Sequence, residues 1–251
     1  MHSIVAVALL VSAVSGKVIW EDDFNTLDRS KWSFEKGNNN GWGNAELQCY
    51  TDSNQNVRVE NGHLVIEARK ENKDGCAFTS ARLKTKGKFE FKFGTIEARI
   101  KLPNLRNGLW PAFWMLGAES DTWPDQGEID IMEAGVADAI ASGKVNQEIL
   151  GTFHWNSNGH AQYGRNLVLP NDITTDFHIY KVTWNPNQIQ MFFDGKEYMT
   201  FNIQPLPVFQ KKFYFLLNLA VGGNFPNIHS AGGITAPLPG QMLVDYIRVS
   251  Q

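Results

Sequence analysis

Cysteine is scarce in this chain, with Cys49 and Cys76 the two in 251 residues. They allow at most one intramolecular bridge, and free buried thiols are the alternative if the protein never meets an oxidising compartment. Charge is also thin. A net charge of −3 argues against a polyanion-binding face, hence against nucleic acid, and suits a neutral partner. No Asn-x-Ser/Thr acceptor occurs, so N-glycosylation is not expected. Beyond the first residues no apolar run reaches membrane length, and no repeat, low-complexity tract or linker divides the chain.

What is present begins with Ile4 to Val14, an apolar stretch too short for a membrane span and followed by the small residues Ser15 and Gly16. Residues 1–16 are expected to be a signal peptide, although Met1-His2-Ser3 supplies no Lys or Arg ahead of it. Residues 17–251 then form one extracellular domain, and secretion makes the Cys49–Cys76 bridge plausible.

The dominant period is two. Val57 to Glu60, Asn61-Gly62, then His63 to Ala68 predicts a hairpin on a tight turn. Phe89, Phe91 and Phe93 alternate with charged residues, as do Thr95 to Leu102, Phe177 to Trp184, Ile189 to Phe193 and Lys196 to Phe201. Phe213 to Ala220 is near-continuously apolar, Met242 to Val249 closes the chain, and only Val136 to Ser142 hints at a helix. Many strands without helical alternation predict an all-β protein of two packed antiparallel sheets.

One segment breaks the apolar rule. Trp123-Pro-Asp-Gln-Gly-Glu128-Ile-Asp130-Ile-Met-Glu133 puts three carboxylates into six residues of a β-branched run, where uncompensated charge is costly unless it has a function. On a regular strand Glu128 and Asp130 share a face, but Glu133 points to the other. A β-bulge restores the parity, and Met132 is the natural extra residue. Four strand steps then separate the outer Cα atoms by about 13 Å, leaving the carboxylates about 6 Å apart if the side chains lean together. Retaining glycosidases need about 5–5.5 Å and inverting ones roughly 6.5–9.5 Å, so spacing alone falls between the two. A solvated acidic face or a divalent-cation site are the other readings of such a triplet.

Glu128-Ile-Asp-Ile-Met-Glu133 resembles the active-site strand of glycoside hydrolase family 16, in the branch that contains laminarinases. Leu109-Trp-Pro-Ala-Phe-Trp-Met-Leu-Gly117, Gly151-Thr-Phe-His-Trp155, Asn218-Leu-Ala-Val-Gly-Gly-Asn224 and Val244-Asp-Tyr-Ile-Arg-Val249 resemble family blocks in the same order. The resemblance covers nearly all of the chain after residue 16. It implies a curved jelly-roll sandwich with a concave cleft and a monomeric, secreted, retaining endo-β-1,3-glucanase. Glu128 would be the nucleophile, Glu133 the acid/base and Asp130 the residue tuning the pair; catalysis would need no cofactor.

Further site residues follow from the same resemblance. Trp110, Trp114 and Trp123 flank the carboxylates and are candidates to stack on sugar rings. His154 would face the cleft beside Asp130, and Arg82 would bind a donor sugar. Asn44, Glu46 and Gln48 lie in a stretch that alternates as an exposed strand would and are hydroxyl-binding candidates; Asn224 follows two glycines at the cleft rim. Asp245 would hold a structural calcium on the far sheet, with an unmetalled aspartate as the alternative. Other readings are a β-glucan recognition protein, which would lack the glutamate pair, and a transglycosylase or a hydrolase of another backbone such as mixed-linkage glucan or agarose.

Overall fold

The computed structural model describes residues 16–251; apart from Gly16, the expected signal peptide lies outside the described residues. In chain order the first strands are β1 (Val18–Asp22), β2 (Ser33–Phe34), β3 (Gln48–Tyr50), β4 (Val57–Glu60), β5 (His63–Lys73) and β6 (Cys76–Ser80). Next come β7 (Arg82–Lys84), β8 (Gly94–Lys101), β9 (Leu109–Gly117), β10 (Glu128–Glu133) and β11 (Glu148–Asn156). The remainder are β12 (His160–Val168), β13 (His178–Trp184), β14 (Gln188–Phe193), β15 (Lys196–Asn202), β16 (Phe213–Val221) and β17 (Gly240–Ser250). Among the described residues the α-helix is α1 (Ala137–Ala141), which falls inside the segment whose pattern hinted at a helix.

The strands form a jelly-roll sandwich of two sheets. A ten-stranded sheet runs β15-β14-β13-β8-β17-β5-β6-β3, with β1 added to β17 and β4 to β5; a seven-stranded sheet runs β12-β11-β10-β9-β16-β7-β2. Pairing is antiparallel except between β3 and β6, where the strands run parallel. That exception sits beside the Cys49–Cys76 disulfide, which joins the start of β6 to β3.

Alternation decides what fills the space between the sheets. Ile96, Ala98 and Ile100 of β8 and Val182 and Trp184 of β13 turn inward to meet Phe113, Met115, Ile129 and Phe215 from the other sheet. Each of the Ile, Val, Met and Phe side chains contributes roughly 1.5–3 kcal/mol on burial. β16 is apolar at all positions but Asn218 because both of its faces are covered. Phe213, Phe215, Leu217 and Leu219 enter the main core, whereas Tyr214 and Leu216 join Leu116 in a small outer cluster and Asn218 turns toward the cleft.

Two local expectations are corrected. The alternating Phe89, Phe91 and Phe93 do not form a strand; Phe91 makes one isolated bridge to Phe213. The three rings pack against a crowded aromatic neighbourhood that includes Trp20, Trp184 and Phe215, so packing rather than a ladder holds them. The stretch from Glu46 to Tyr50 is not exposed: Glu46, Gln48, Cys49 and Tyr50 are buried beneath the neighbouring loops.

Candidate active site

β10 lies near the middle of the seven-stranded sheet, between β9 and β11. Gly127 hands the chain into it at φ +77°, a conformation that favours glycine. A Cβ there would also approach Val208 Cγ2 to 2.7 Å. The ladder to β9 then slips between Asp130 and Met132, and the ladder to β11 slips between Asp130 and Glu133. The extra residue against β9 is Ile131, not Met132, which pairs with Phe113. Ile131 and Met132 both enter the core, so the parity break falls one residue earlier than the sequence suggests. It has the same consequence: Glu128, Asp130 and Glu133 share the cleft face.

The acids are poorly hydrated and crowded. Burial pushes Glu128 up to about 8, and the charge of Asp130 adds to the effect. His154, the Trp123 indole and Arg82 work against it. Burial and the charge of Glu133 hold Asp130 well above the usual carboxylate range. Burial, then repulsion from Glu128, pushes Glu133 up to about 7, opposed by Trp110 and His154. Asp130 and Glu128 lie close enough that a proton shared between them would relieve their repulsion. The resting site therefore retains protons near neutral pH.

Indoles and imidazoles fix the acids in place. Trp123 Nε1 donates to Glu128 Oε2 at 3.1 Å and Trp110 Nε1 donates to Glu133 Oε1 at 3.0 Å. His154, opposite Glu128 on β11, brings Nε2 to 3.2 Å from Asp130 Oδ2 and 3.7 Å from Glu128 Oε1. Its Nδ1 lies 2.9 Å from His160 Nε2 on β12. His160 also packs on Trp123, with ring centroids 4.6 Å apart. Trp123 nonetheless remains 47% exposed, an apolar platform beside the nucleophile candidate.

The flank formed by β9, β16 and β7 is a polar and aromatic wall. Arg82 lies between the rings of Trp42 and Trp114, its Cζ 4.8 and 4.9 Å from their centroids. Its Nε is 2.6 Å from Glu35 Oε2. Trp114 Nε1 donates to Asn218 Oδ1 at 2.7 Å, Asn218 Nδ2 reaches the Tyr50 hydroxyl at 3.2 Å, and that hydroxyl donates to Glu46 Oε2 at 3.1 Å. Trp42 is presented by a run of left-handed residues from Asn39 to Gly43, strain of the kind that collects at ligand sites. Asn44 and Asn224 meet at the rim, where the Asn224 amide donates to the Asn44 carbonyl at 2.7 Å.

Gln48 and Trp110 take other positions than those expected. Gln48 is 0% exposed and offers no surface to a sugar; its side chain accepts from the Val221 amide and donates to Glu46. Trp110 is covered by Phe225, stacked at 4.7 Å, so its indole positions Glu133 rather than stacking on a ring of the substrate. Asp245 faces cations: Arg99 Nη1 is 2.7 Å from Oδ2 and His63 Nε2 is 3.6 Å from Oδ1. A carboxylate already neutralised by a guanidinium does not fit a calcium site, which needs about six to eight oxygens. Among the described residues the grouping of ligating side chains is instead Glu128, Asp130 and His154, also short of oxygens for calcium. His160, Phe225 and Tyr50 belong to the site and carried no motif of their own, because each reaches it from a different strand or loop; Asn218 opens the Asn218–Asn224 block but was not singled out within it.

Comparison with known proteins agrees with this geometry. The sequence profile of glycosyl hydrolases family 16 matches residues 44–212. A glucan endo-1,3-beta-glucosidase from Cryptopygus antarcticus is 40% identical, over 82% of this chain and 80% of that protein. Glucan endo-1,3-beta-glucosidase A1 of Niallia circulans is 37% identical over 94% of this chain and 38% of its own length. The chain spans about a third of the length of the first curated relatives it matches. The catalytic domain of an endo-1,3-beta-glucanase (laminarinase) from Thermotoga petrophila superposes with a TM-score of 0.83 at 38% identity, covering 95% of this chain and 99% of that one. By profile, relatives and fold, the chain belongs to glycosyl hydrolases family 16.

Proposed function

We propose that this protein is a secreted, monomeric, retaining endo-β-1,3-glucanase acting on laminarin-like glucans. The observation that carries the reading is the bulge in β10, which gathers Glu128, Asp130 and Glu133 on one face beside the exposed indole of Trp123. Relatives named as endo-1,3-beta-glucosidases support the linkage. The disulfide supports an oxidising destination.

In the first step Glu128, ionised, attacks the anomeric carbon while the bond to the departing sugar breaks and Glu133 gives its proton to the leaving oxygen. In the second, water attacks the glycosyl-enzyme, Glu133 takes the water's proton, and Glu128 is released. The free site holds Glu128 at least as strongly protonated as Glu133, so the substrate must reverse that order. Positive charge developing on the sugar ring sits against Glu128 and favours its anion. The proton between Glu128 and Asp130 can stay with Asp130, whose second oxygen has His154 at 3.2 Å. Trp123, hydrogen-bonded to Glu128, would place its indole against the apolar face of a sugar ring. The reaction so written needs no cofactor.

The test is product analysis on laminarin, mixed-linkage glucan, agarose and cellulose, with the anomeric form of the first product followed by NMR. The β-anomer released first from laminarin is the expected result. An α-anomer first would exclude retention, and cleavage of another glucan with laminarin untouched would reassign the substrate.

A further inference from the structure

The turn from β11 into β12 brings two histidines together. Asn158 and Gly159 take left-handed conformations there, the Ser157 amide donates to the Gly159 carbonyl at 2.8 Å, and the Gly159 amide donates to Asn156 Oδ1 at 3.0 Å. The turn pairs Asn156 with His160, which leaves His160 diagonal to His154 on the neighbouring strand. The two ring centroids lie 5.1 Å apart, with His154 Nδ1 2.9 Å from His160 Nε2. Asn156 also reaches across to Asp125, which ties this turn to the loop carrying Trp123.

His160 is exposed, yet it touches both groups that hold the acids. Its ring packs on Trp123, whose indole donates to Glu128, and its Nε2 meets His154, whose other nitrogen faces Asp130. A nitrogen–nitrogen contact of this length needs one hydrogen between the rings, so their tautomers are linked. If His154 supplies it from Nδ1, a neutral ring turns a bare Nε2 toward Asp130. If His160 supplies it from Nε2, the proton of His154 sits on its own Nε2 and points at that carboxyl.

Asp130 decides between the two. Its Oδ2 is buried, accepts no hydrogen bond in the resting site, and lies 3.2 Å from His154 Nε2. A buried acceptor left without a donor is unfavourable. With a bare Nε2, two lone pairs would face each other unless Asp130 turned its own proton to His154, and Glu128 would then lose its share of that proton. With Nε2–H, Oδ2 has a donor within reach, a contact of the kind that tightens when substrate binds, and the Asp130 proton stays free for Glu128. Desolvation, then the charge of His154, lower the proton affinity of His160, which keeps it a neutral ring with one N–H to give.

We propose that His160 is a positioning residue for the reaction: it donates Nε2–H to His154 Nδ1, which holds His154 in the tautomer whose Nε2–H faces Asp130 and so keeps the Asp130 proton available to Glu128. When Glu128 attacks, the shared proton remains on Asp130; when the bond between Glu128 and the sugar breaks, it is shared again. His160 acts through His154 and binds no sugar. Its effect on turnover rests on the glycosidase reading, whereas the tautomer is a property of the free protein.

The experiment uses the full chain with isotope-labelled histidine, in which NMR correlations between ring protons and ring nitrogens read the tautomer of each imidazole at neutral pH. His154 should carry its proton on Nε2; a proton on its Nδ1 would overturn the proposal. Two variants then read the consequence on laminarin. His160→Phe keeps a ring against Trp123 but has no N–H, so kcat should fall about 5- to 10-fold with KM unchanged, as expected for the loss of one hydrogen bond. His160→Gln, whose side-chain amide can donate, should recover most of that loss. An unchanged kcat in His160→Phe, a loss confined to KM, or equal impairment in both variants would each overturn the proposal. His160 is exposed, so neither variant removes core packing, and the wild-type spectrum decides the tautomer whatever they do. A wild type that cuts no glucan yet holds its His154 proton on Nε2 would instead sink the glycosidase reading, and the positioning role with it.

Discussion

Glu67 on the ten-stranded sheet and Asp130 on the seven-stranded sheet are 2% and 3% exposed, yet their proton affinities move in opposite directions. Burial pushes Glu67 up as well, but hydrogen bonds from Gln241, Arg58 and Arg69 outweigh it and hold its carboxyl below the usual range. Arg58 Nη2 reaches it at 2.9 Å and Gln241 Nε2 at 2.8 Å. Asp130 has no guanidinium; its neighbours are two more acids and a histidine. Burial is common to both regions. What marks the acids of the cleft is that, among the described residues, no guanidinium forms an ion pair with them, which leaves protons available for chemistry at the cost of stability.

The sharpest way to break the comparison is to remove the charges in turn. Glu128→Gln and Glu133→Gln should each lower kcat by roughly 10²–10⁴-fold, with oligosaccharide binding retained by titration calorimetry. A near-normal rate in either variant would strip that residue of its role. Glu67→Gln should leave kcat unchanged.

Stability should show the reverse. The folded-state pKa of Glu128 is raised, so its ionisation opposes folding: the penalty is absent below about pH 4.5 and complete above about 8. Thermal melts of Glu128→Gln should therefore match wild type near pH 4 and exceed it near pH 9, by on the order of 3 kcal/mol after allowance for residual solvent. Glu67 has a depressed folded-state pKa, so its contribution is present at neutral pH and fades as pH falls through that value. Glu67→Gln should cost about 2 kcal/mol near pH 7 and less in acid. Parallel pH dependence in the two variants would remove the distinction between the regions.

The smallest expected effect concerns Trp110. Its indole hydrogen bond favours the anion of Glu133 and so lowers that residue's proton affinity. In the free site Glu128 titrates at about 8 and Glu133 at about 7, so the acid limb of kcat/KM reports Glu133, and Trp110→Phe should move that limb upward by about half a unit. An unmoved or acid-shifted limb would show that Trp110 does not tune the acid.

Much of the fold was legible because alternation is a local signal. The hairpin at Asn61-Gly62, the paired strands β13, β14 and β15, and the continuous apolar β16 follow from side-chain period alone. The alternating Phe89, Phe91 and Phe93 misled for the same reason: period two states which side a residue faces, not whether its backbone finds a partner. In the site, the parity of Glu128, Asp130 and Glu133 demanded a bulge, but the choice between Ile131 and Met132 depended on which of them registers with Phe113 across the ladder. Gln48 was misread because its partner, the Val221 amide, lies 173 residues away, and the Arg99 guanidinium that faces Asp245 lies 146 residues away.

Sheet content, the strand that carries the acids and the need for a kink within it follow from the order of residues, because those depend on spacing along one chain. That Phe225 caps Trp110, that His160 meets His154 and that Asp245 lies beside a guanidinium are matters of how the strands assemble. Covalent neighbours set the face a side chain takes. The charge, water and rings it meets there come from strands whose distance in sequence carries no information about their distance in space.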